Sequence, residues 1–334
     1  MQEPLFRRVA AEHPHWRGVL LLSTVSDSLI HESHGTRGTY RLSPGALHVA
    51  WHDFPAEDFI EIDGRYIHRS LLPPTTDPAT ADAGGSDPPR WLDTIQVVSL
   101  RRTTDRRERF ETLNPGLEFA FFDAIDGSSI DRAEFFSSPL AREPVPYSAG
   151  AIGCALSHLA LWERAVNDQV AITIVEDDAI LRQDFQARSR ALIARLPVDW
   201  DLIMWGWNFD SILSVNAMPG VSSTVIMCDQ TMMRQSLERF RSQLLEPQAL
   251  PLDKCFGTCA YSISPAGGQK FRQGCFPLRN EPVYFPALRR VRPNDGIDVA
   301  MNRLYPATRS YVAFPPLVVT PNNNAESLTL ERRQ

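Results

Sequence analysis

Lysine is almost absent from this chain of 334 residues: Lys254 and Lys270 are its only two, among 34 basic residues. The formal net charge is -6, so the sequence lacks the positive footprint that nucleic-acid-binding proteins carry, and nucleic acid is not an expected partner. The remaining basic residues are arginines, whose planar forks suit phosphate groups. A hydrophobic fraction of 43% with 22% charged residues is typical of a globular protein.

Cysteines and long apolar runs are scarce as well. The five cysteines are scattered, and although Cys255, Cys259 and Cys275 are neighbours in sequence, no CxxC pair or matching histidine supports a zinc site. We therefore expect reduced thiols. No signal peptide is visible at the N-terminus, and the apolar run over 18–22 is too short to cross a bilayer. These features predict a cytoplasmic protein with at most peripheral contact at the inner face of a membrane.

Three carboxylates in a row follow the apolar run at residues 170–175. The run reads Val-Ala-Ile-Thr-Ile-Val, the composition of a strand buried on both faces in a sheet covered by helices. Glu176, Asp177 and Asp178, the acidic triplet, come directly after it, where open α/β sheets bind ligands. Hard oxygen ligands suit Mg²⁺ or Mn²⁺. The alternative is that these acids belong to the first turn of a following helix.

The first part of the chain predicts a separate module. Residues 1–13 have the pattern of a short amphipathic helix, and short β-like runs separated by turn residues follow from Gly18 onward. We predict a small antiparallel β-rich module over residues 1–72, with Trp51 and Tyr66 as core aromatics. It could bind acceptor glycan, mediate oligomerisation or brace the rest of the chain. Residues 73–92, rich in breakers and poor in apolar side chains, predict a flexible linker.

The remaining domain, residues 93–334, alternates predicted strands and helices. Strands are predicted over 95–100, 117–122, 170–175, 201–206 and 258–263, with helices over 103–113, 148–168, 183–196 and from 265, and a turn entering a short helix over 294–302. This order predicts an α/β fold with a central, mostly parallel sheet. The first strand–helix junction brings backbone N–H groups and arginines together as an anion site. The alternative there is a solvated helix face whose charges pair with one another.

Several segments of this domain form an ordered set of motifs along the chain. They are Val98-Ser99-Leu100-Arg101 with Asp105-Arg106, Ala124-Ile125-Asp126-Gly127, Gly150-Ala151-Ile152-Gly153-Cys154-Ala155-Leu156-Ser157-His158-Leu159, Val175-Glu176-Asp177-Asp178-Ala179, Trp200-Asp201-Leu202-Ile203 and Ala260-Tyr261-Ser262-Ile263-Ser264. In this order they resemble the motifs of glycosyltransferase family 25, the bacterial lipooligosaccharide-type enzymes related to collagen galactosyltransferases. The resemblance extends from about 95 to 321 and does not include the first ninety residues. Gly267-Gly268 stands where the family often has Gly-Ala.

The resemblance implies a GT-A-like nucleotide-binding fold and an inverting transfer of a sugar, often galactose from UDP-galactose. The implied acceptor is a hydroxyl of a saccharide or lipid-linked glycan in bacterial lipopolysaccharide synthesis. The acidic triplet would take the part of the DxD element that holds Mn²⁺ or Mg²⁺ against the donor diphosphate. Matching this sequence to the family motifs implies that five residues lie near the nucleotide: Ser99, Arg101, Arg106, Asp126 and Gly127.

An inverting transfer also needs a general base on the face opposite the leaving group. Asp298 and Asp295, beside Gly296, are the candidates, and turn formation or helix capping is their alternative role. His158 is a further candidate base, although a lone histidine beside an apolar stripe is more often a packing residue. We expect four residues to contact substrate: Ser157, His158, Asn208 and Tyr261.

Two other classes of function compete with this hypothesis. A sugar nucleotidyltransferase would use similar metal–carboxylate chemistry but would be expected to carry a Gly-rich phosphate loop after its first strand, and Ser99-Leu100-Arg101 has no such glycines. A non-catalytic carbohydrate-binding or scaffold protein would be expected to lose the acidic triplet, and all three carboxylates are present. The oligomeric state stays open.

Overall fold

The computed structural model describes residues 6–13, 16–23, 28–32, 37–43, 45–51, 57–62, 65–68, 90–91, 94–219 and 221–321. The chain divides into two compact units, one of residues 1–85 with 218–222 and one of 86–217 with 223–334. Most of the predicted linker lies outside the described residues. Its end is an exception, because Arg90 and Trp91 form a short strand.

The first unit is a closed barrel of seven strands. They are β1 (Phe6–His13), β2 (Trp16–Ser23), β3 (Ser28–His31), β4 (Arg37–Ser43), β5 (Ala46–Trp51), β6 (Glu57–Ile62) and β7 (Arg65–His68). Each strand pairs antiparallel with the next, and β7 closes the ring by pairing parallel with β1. The predicted β-rich module is confirmed. Tyr66 lies in its core, and Trp51 is partly buried and packs against that core.

The helix predicted over residues 1–13 is wrong, because the described part of that segment, Phe6–His13, is a strand. Val9 and Ala11 are buried whereas Arg8 and Ala10 are exposed, which is the two-residue period of a strand. All eight residues of β1 pair with β2. Pairing along the whole strand outweighs the weak helical pattern of a short segment.

The second unit is built on one large mixed sheet flanked by helices. Its strands are β8 (Arg90–Trp91), β9 (Ile95–Ser99), β10 (Phe119–Asp123), β11 (Val170–Glu176), β12 (Ile180–Leu181), β13 (Leu202–Gly206), β14 (Ile212–Met218), β15 (Ser222–Met227), β16 (Gln248–Lys254), β17 (Ala260–Ile263), β18 (Val283–Phe285), β19 (Arg290–Arg292), β20 (Ser310–Phe314) and β21 (Val318–Val319). Its helices are α1 (Thr104–Leu113), α2 (Arg132–Ser137), α3 (Ala149–Asp168), α4 (Phe185–Ile193), α5 (Gln230–Arg234), α6 (Leu237–Arg241), α7 (Pro265–Cys275) and α8 (Ile297–Met301).

The strand order of the large sheet is β10-β9-β11-β17-β13-β20-β16-β14-β15, with β8 beside the start of β11. The expectation of a mostly parallel sheet is wrong. β17 runs antiparallel to both β11 and β13, and β16 runs antiparallel to β20 and β14. An apolar run does not reveal strand direction, because either direction buries both faces once helices cover the sheet.

Two hydrophobic clusters cover the two faces of this sheet. One packs α3, α7 and α8 against alternate residues of the central strands, including Ile172 and Ile174 of β11. The other packs α1 and α4 against the intervening residues, including Ala171 and Val175. β11 is thus buried on both faces, as its composition predicts. None of the helices in the described ranges combines the length and apolar content needed to cross a bilayer.

Candidate functional site

The carboxyl ends of three parallel strands meet at one edge of the large sheet. Asp123 at the end of β10 lies opposite Ser99 at the end of β9, and Glu176 at the end of β11 lies opposite Val98. The acidic triplet therefore emerges beside the β9–α1 junction, as the strand order predicts. The residues after Glu176 form a turn that leads into β12, and α4 begins only at Phe185. The helix-capping alternative for the triplet is therefore excluded.

Asp177 is held by the first strand and the first helix. Ser99 Oγ donates to its Oδ2 at 2.7 Å, and Arg106 donates to its Oδ1 from Nε at 2.9 Å and also from Nη2. The two side chains are 14% (Arg106) and 7% (Asp177) exposed. Both oxygens of Asp177 are thus occupied by donors from the protein. This contact leaves Asp177 poorly suited to the predicted role of metal ligand and makes it a clamp between β9, α1 and β11.

Glu176 and Asp178 are the other two members of the triplet, and both are half-buried among like charges. Burial and the charge of Asp178 raise the pKa of Glu176 to about 8, and burial likewise raises the pKa of Asp178. Thr258 Oγ1 donates to Glu176 Oε1, whereas no described residue donates a hydrogen bond to Asp178 Oδ1. A buried carboxylate oxygen without a donor is costly unless a cation occupies the space beside it. These two residues fit a divalent metal.

The loop between β16 and β17 connects Glu176 to Asp298. Gly257 N donates to Asp298 Oδ2 at 3.0 Å, and the next residue, Thr258, is the hydrogen-bond partner of Glu176. Asn302 fixes this loop to α8, because its amide bonds both the N–H and the C=O of Cys255. Burial raises the pKa of Asp298, which helps a carboxylate to act as a base near neutral pH.

The other catalytic candidate, Asp295, is on the surface. Its side chain is 44% exposed and lies 3.9 Å from the guanidinium of Arg292. Asn208, which follows β13, does lie at the site: its backbone N–H donates to Phe256, and its side chain lies against Gly257. A Cβ at Gly257 would lie 2.4 Å from the Asn208 Oδ1, and the φ of +83° also favours glycine at this position.

His158 is buried on α3 directly behind Glu176. Its Nδ1 is 2.7 Å from the Tyr261 hydroxyl, and that hydroxyl accepts a hydrogen bond from Trp162 Nε1 at 2.8 Å. One ligand atom from each of Cys154, His158 and Glu176 lies within 4.8 Å of the others. Burial lowers the pKa of His158 to about 4, so the imidazole is neutral at pH 7. Tyr261 is wholly buried, and its position is that of a support for His158.

The segment containing Asp126 and Gly127 packs against the start of α3. A Cβ at Gly127 would lie 1.7 Å from the Ala149 carbonyl oxygen, and one at Gly153 would lie 2.4 Å from that of Ile125. Ser157 Oγ accepts from Ile125 N at 2.9 Å and donates to Gly153 O at 2.7 Å. Ser157 is therefore committed to packing, and Gly127 permits close approach of two backbones.

Asp126 faces outward from that segment. Arg102 Nε donates to its Oδ2 at 2.6 Å, and Ser128 donates to its Oδ1 from both N and Oγ. These donors, Arg102 first, hold the pKa of Asp126 well below its usual range. Arg101 is exposed at the end of β9. The structure thus places Ser99 and Arg106 at the triplet and leaves Arg101 accessible, while Asp126 is engaged by Arg102.

Three further residues belong to this site and were not predicted from the sequence: Cys154, Thr258 and Asn302. Cys154 precedes His158 by four residues, and this spacing places both side chains on one face of α3. The spacing is therefore a sequence signal that links Cys154 to His158. Thr258 and Asn302 lie far from Glu176 in sequence and reach it through the β16–β17 loop, for which no local pattern exists. Together the residues form a half-buried acidic centre: the protein holds the carboxylate of Asp177, those of Glu176 and Asp178 suit a cation, and that of Asp298 lies near Glu176.

Comparison with known proteins agrees with the motifs. A family model described as glycosyltransferase family 25 (LPS biosynthesis protein) matches residues 92–283. The chain is similar to procollagen galactosyltransferase 2 from Homo sapiens, with 30% identity over 259 residues that cover 70% of this chain and 35% of that protein. The protein of the same name from Mus musculus is 27% identical over 259 residues, with the same coverage of both chains.

Another relative carries a different description. The inactive glycosyltransferase 25 family member 3 from Mus musculus is 30% identical over 166 residues, which cover 43% of this chain and 28% of that protein. The chain therefore spans about a third of the length of the relatives it matches.

Proposed function

Because the chain belongs to glycosyltransferase family 25, we propose that it is a metal-dependent, inverting glycosyltransferase that uses a nucleotide-sugar donor. The proposed donor is a UDP-linked hexose, with galactose the first choice because two relatives are named galactosyltransferases. The proposed acceptor is a hydroxyl of a saccharide or lipid-linked glycan in the synthesis of a bacterial surface polysaccharide. The family description, which names LPS biosynthesis, supports that setting, and a cytoplasmic location at the inner face of the membrane suits it.

The observation that carries this proposal is the pair of half-buried carboxylates at the end of β11. Asp178 and Glu176 would hold Mn²⁺ or Mg²⁺, because hard oxygen donors suit those ions and the Asp178 Oδ1 has no donor among the described residues. A bound divalent cation would act as a Lewis acid that stabilises the charge of the departing nucleoside diphosphate. A GT-A-like fold for the second unit is part of this proposal.

The remaining residues would position and activate the substrates. Arg106 keeps Asp177 in place, so that β11 and α1 present the triplet and the exposed Arg101 to the donor phosphates. Asp298 would take the proton of the acceptor hydroxyl as that oxygen bonds to the anomeric carbon. The bond between that carbon and the phosphate oxygen breaks, and the diphosphate leaves with the electron pair. Attack from the face opposite the diphosphate inverts the configuration.

Donor binding and donor hydrolysis would test the proposal. We would measure both for a panel of nucleotide sugars, with and without Mn²⁺, on the wild-type chain and on Asp178→Asn. Asp168→Asn is the matched control, because Asp168 is a 55% exposed carboxylate at the end of α3. We expect metal-dependent binding of one donor by the wild type and the control, and its loss in Asp178→Asn. Donor binding that depends neither on the metal nor on Asp178 would overturn the metal-dependent mechanism.

The second candidate function is a non-catalytic carbohydrate-binding or scaffold role. The observation that favours it is the relative named inactive glycosyltransferase 25 family member 3. The same panel separates the two: release of nucleoside diphosphate in the presence of an acceptor glycan requires an enzyme, whereas glycan binding without any release across the panel supports the scaffold role.

A further inference from the structure

Three side chains that commonly bind metals meet inside one end of the barrel. β1 and β7 run parallel, with Ala11 opposite Tyr66, so His13 and His68 end their strands at the same place. β6 runs antiparallel to β7, with Phe59 opposite His68, so Glu57 at the start of β6 lies there too. The two-residue period of β1 explains the inward direction of His13, because Val9 and Ala11 face the core.

The contacts among these residues are close. His13 Nε2 lies 3.0 Å from Glu57 Oε1, and Trp51 Nε1 donates to Glu57 Oε2 at 2.8 Å. The rings of His13 and His68 meet edge to face, with centroids 4.8 Å apart. One ligand atom from each of His13, Glu57 and His68 lies within 4.8 Å of the others. The side chains of His13 and Glu57 are only 10% and 11% exposed, and His68 is buried.

We propose that His13, Glu57 and His68 bind a divalent transition-metal ion of the Zn²⁺ class, at a site formed wholly by the barrel. Two imidazoles and a carboxylate are a donor set that proteins use for Zn²⁺, with a fourth position left for water or another ligand. Bond lengths of about 2.0–2.2 Å set tetrahedral ligand atoms about 3.3–3.6 Å apart. One of the three distances is already 3.0 Å, so modest side-chain adjustment completes the geometry.

The position of these residues gives such an ion a role in closing the barrel. β1 and β2 share eight residue pairs, whereas the parallel seam between β1 and β7 has only two. An ion bound by His13 and His68 joins the strands across that short seam, and Glu57 ties β6 to both.

The proposal is tested by metal stoichiometry on the full chain without an affinity tag. Asp178→Asn serves as the background, so that ions at the acidic triplet do not enter the count. In that background we expect one equivalent of Zn²⁺ per chain, and we expect His68→Gln to abolish this binding. A chelator should lower the Tm of the background protein but should leave the Tm of the His68→Gln protein unchanged. His48→Gln is the matched control, because His48 is a half-exposed imidazole on the outside of the same barrel, paired with Asp58. It should bind like the background.

A spectroscopic measurement keeps the test independent of any variant that fails to fold. Cu²⁺ added to the Asp178→Asn chain should show hyperfine coupling to two imidazole nitrogens in its electron paramagnetic resonance spectrum. Coupling to no nitrogen or to one would overturn the proposal, and so would an equal Zn²⁺ count in the background and in a folded His68→Gln protein. Neither result bears on the donor-binding experiment, which concerns the second unit.

Discussion

The pair formed by Arg106 and Asp177 gives a quantitative prediction about the stability of the site. Two charge-assisted hydrogen bonds join these side chains, and both are shielded from solvent. Removing one partner of such a buried pair costs about 3–5 kcal/mol. We expect Arg106→Met to lower the free energy of unfolding by about 3 kcal/mol, the lower end of the range, because Ser99 still donates to Asp177.

A double-mutant cycle separates the pair from the general effect of each change. Asp177→Asn keeps the shape of the side chain and should cost about 2 kcal/mol, as a charged hydrogen-bond partner is lost. The double variant should be more stable than the sum of the single changes predicts, by about 2 kcal/mol. The matched control is Arg102→Met, because Arg102 pairs with Asp126 while 57% exposed and should cost less than about 1 kcal/mol.

Urea denaturation monitored by tryptophan fluorescence would supply these free energies. The chain has two compact units, so two transitions must be fitted separately if they do not coincide. Additive effects of the two single changes, to within about 0.5 kcal/mol, would refute the coupling between these residues. So would equal losses in Arg106→Met and in the exposed control, since the argument depends on burial.

Three further predictions concern packing, proton binding and catalysis. Gly153→Ala should lower Tm by about 2–10 °C, because its new Cβ would lie 2.4 Å from the Ile125 carbonyl oxygen; an unchanged Tm in a thermal melt would contradict this close approach. The pKa of His158 is about 4 in the folded chain against 6.5 ordinarily, so the free energy of unfolding should fall by up to about 3 kcal/mol as pH decreases from about 6.5 to 4. His158→Gln should lose that slope and His48→Gln should keep it, as measured by denaturation at several pH values. Asp298→Asn should reduce kcat by about 100-fold or more while donor binding persists, and the wild-type rate should fall as pH drops through the raised pKa of Asp298. The control variant Asp295→Asn should change kcat little. Equal effects of the two variants on kcat in a transfer assay would contradict the assignment of Asp298 as the base.

Local patterns in the sequence predict most of the elements that carry the site. The apolar run before Glu176 forms β11, and the periodic stripe after Ser148 forms α3 with Ser148 as its cap. β14, β15 and β16 were not predicted, and β17 was predicted without its direction. Strand direction and pairing depend on contacts distant in sequence, so a pattern read along one segment does not contain them.

The roles of the individual residues around the site likewise depend on contacts that are distant in sequence. Ser99 and Arg106, which the family resemblance places near the nucleotide, contact Asp177 in the structure, whereas Ser157 and Gly127 serve packing between α3 and a neighbouring loop. A serine or glycine in a family motif is equally compatible with both roles, because ligand approach and backbone approach each favour a small residue. Only the position of the facing carbonyl groups separates the two roles, and that position is a property of the tertiary structure.

The acidic triplet shows why three consecutive carboxylates need not share one task. Successive side chains at the end of a strand point in different directions. Glu176 continues the face of Ile172 and Ile174 toward α3, while Asp177 turns to α1 and is neutralised there by Arg106. Because Arg106 already neutralises Asp177, a cation has to balance only the charges of Glu176 and Asp178. A single divalent ion matches those two charges, which is why Asp178→Asn, rather than Asp177→Asn, should abolish metal-dependent donor binding.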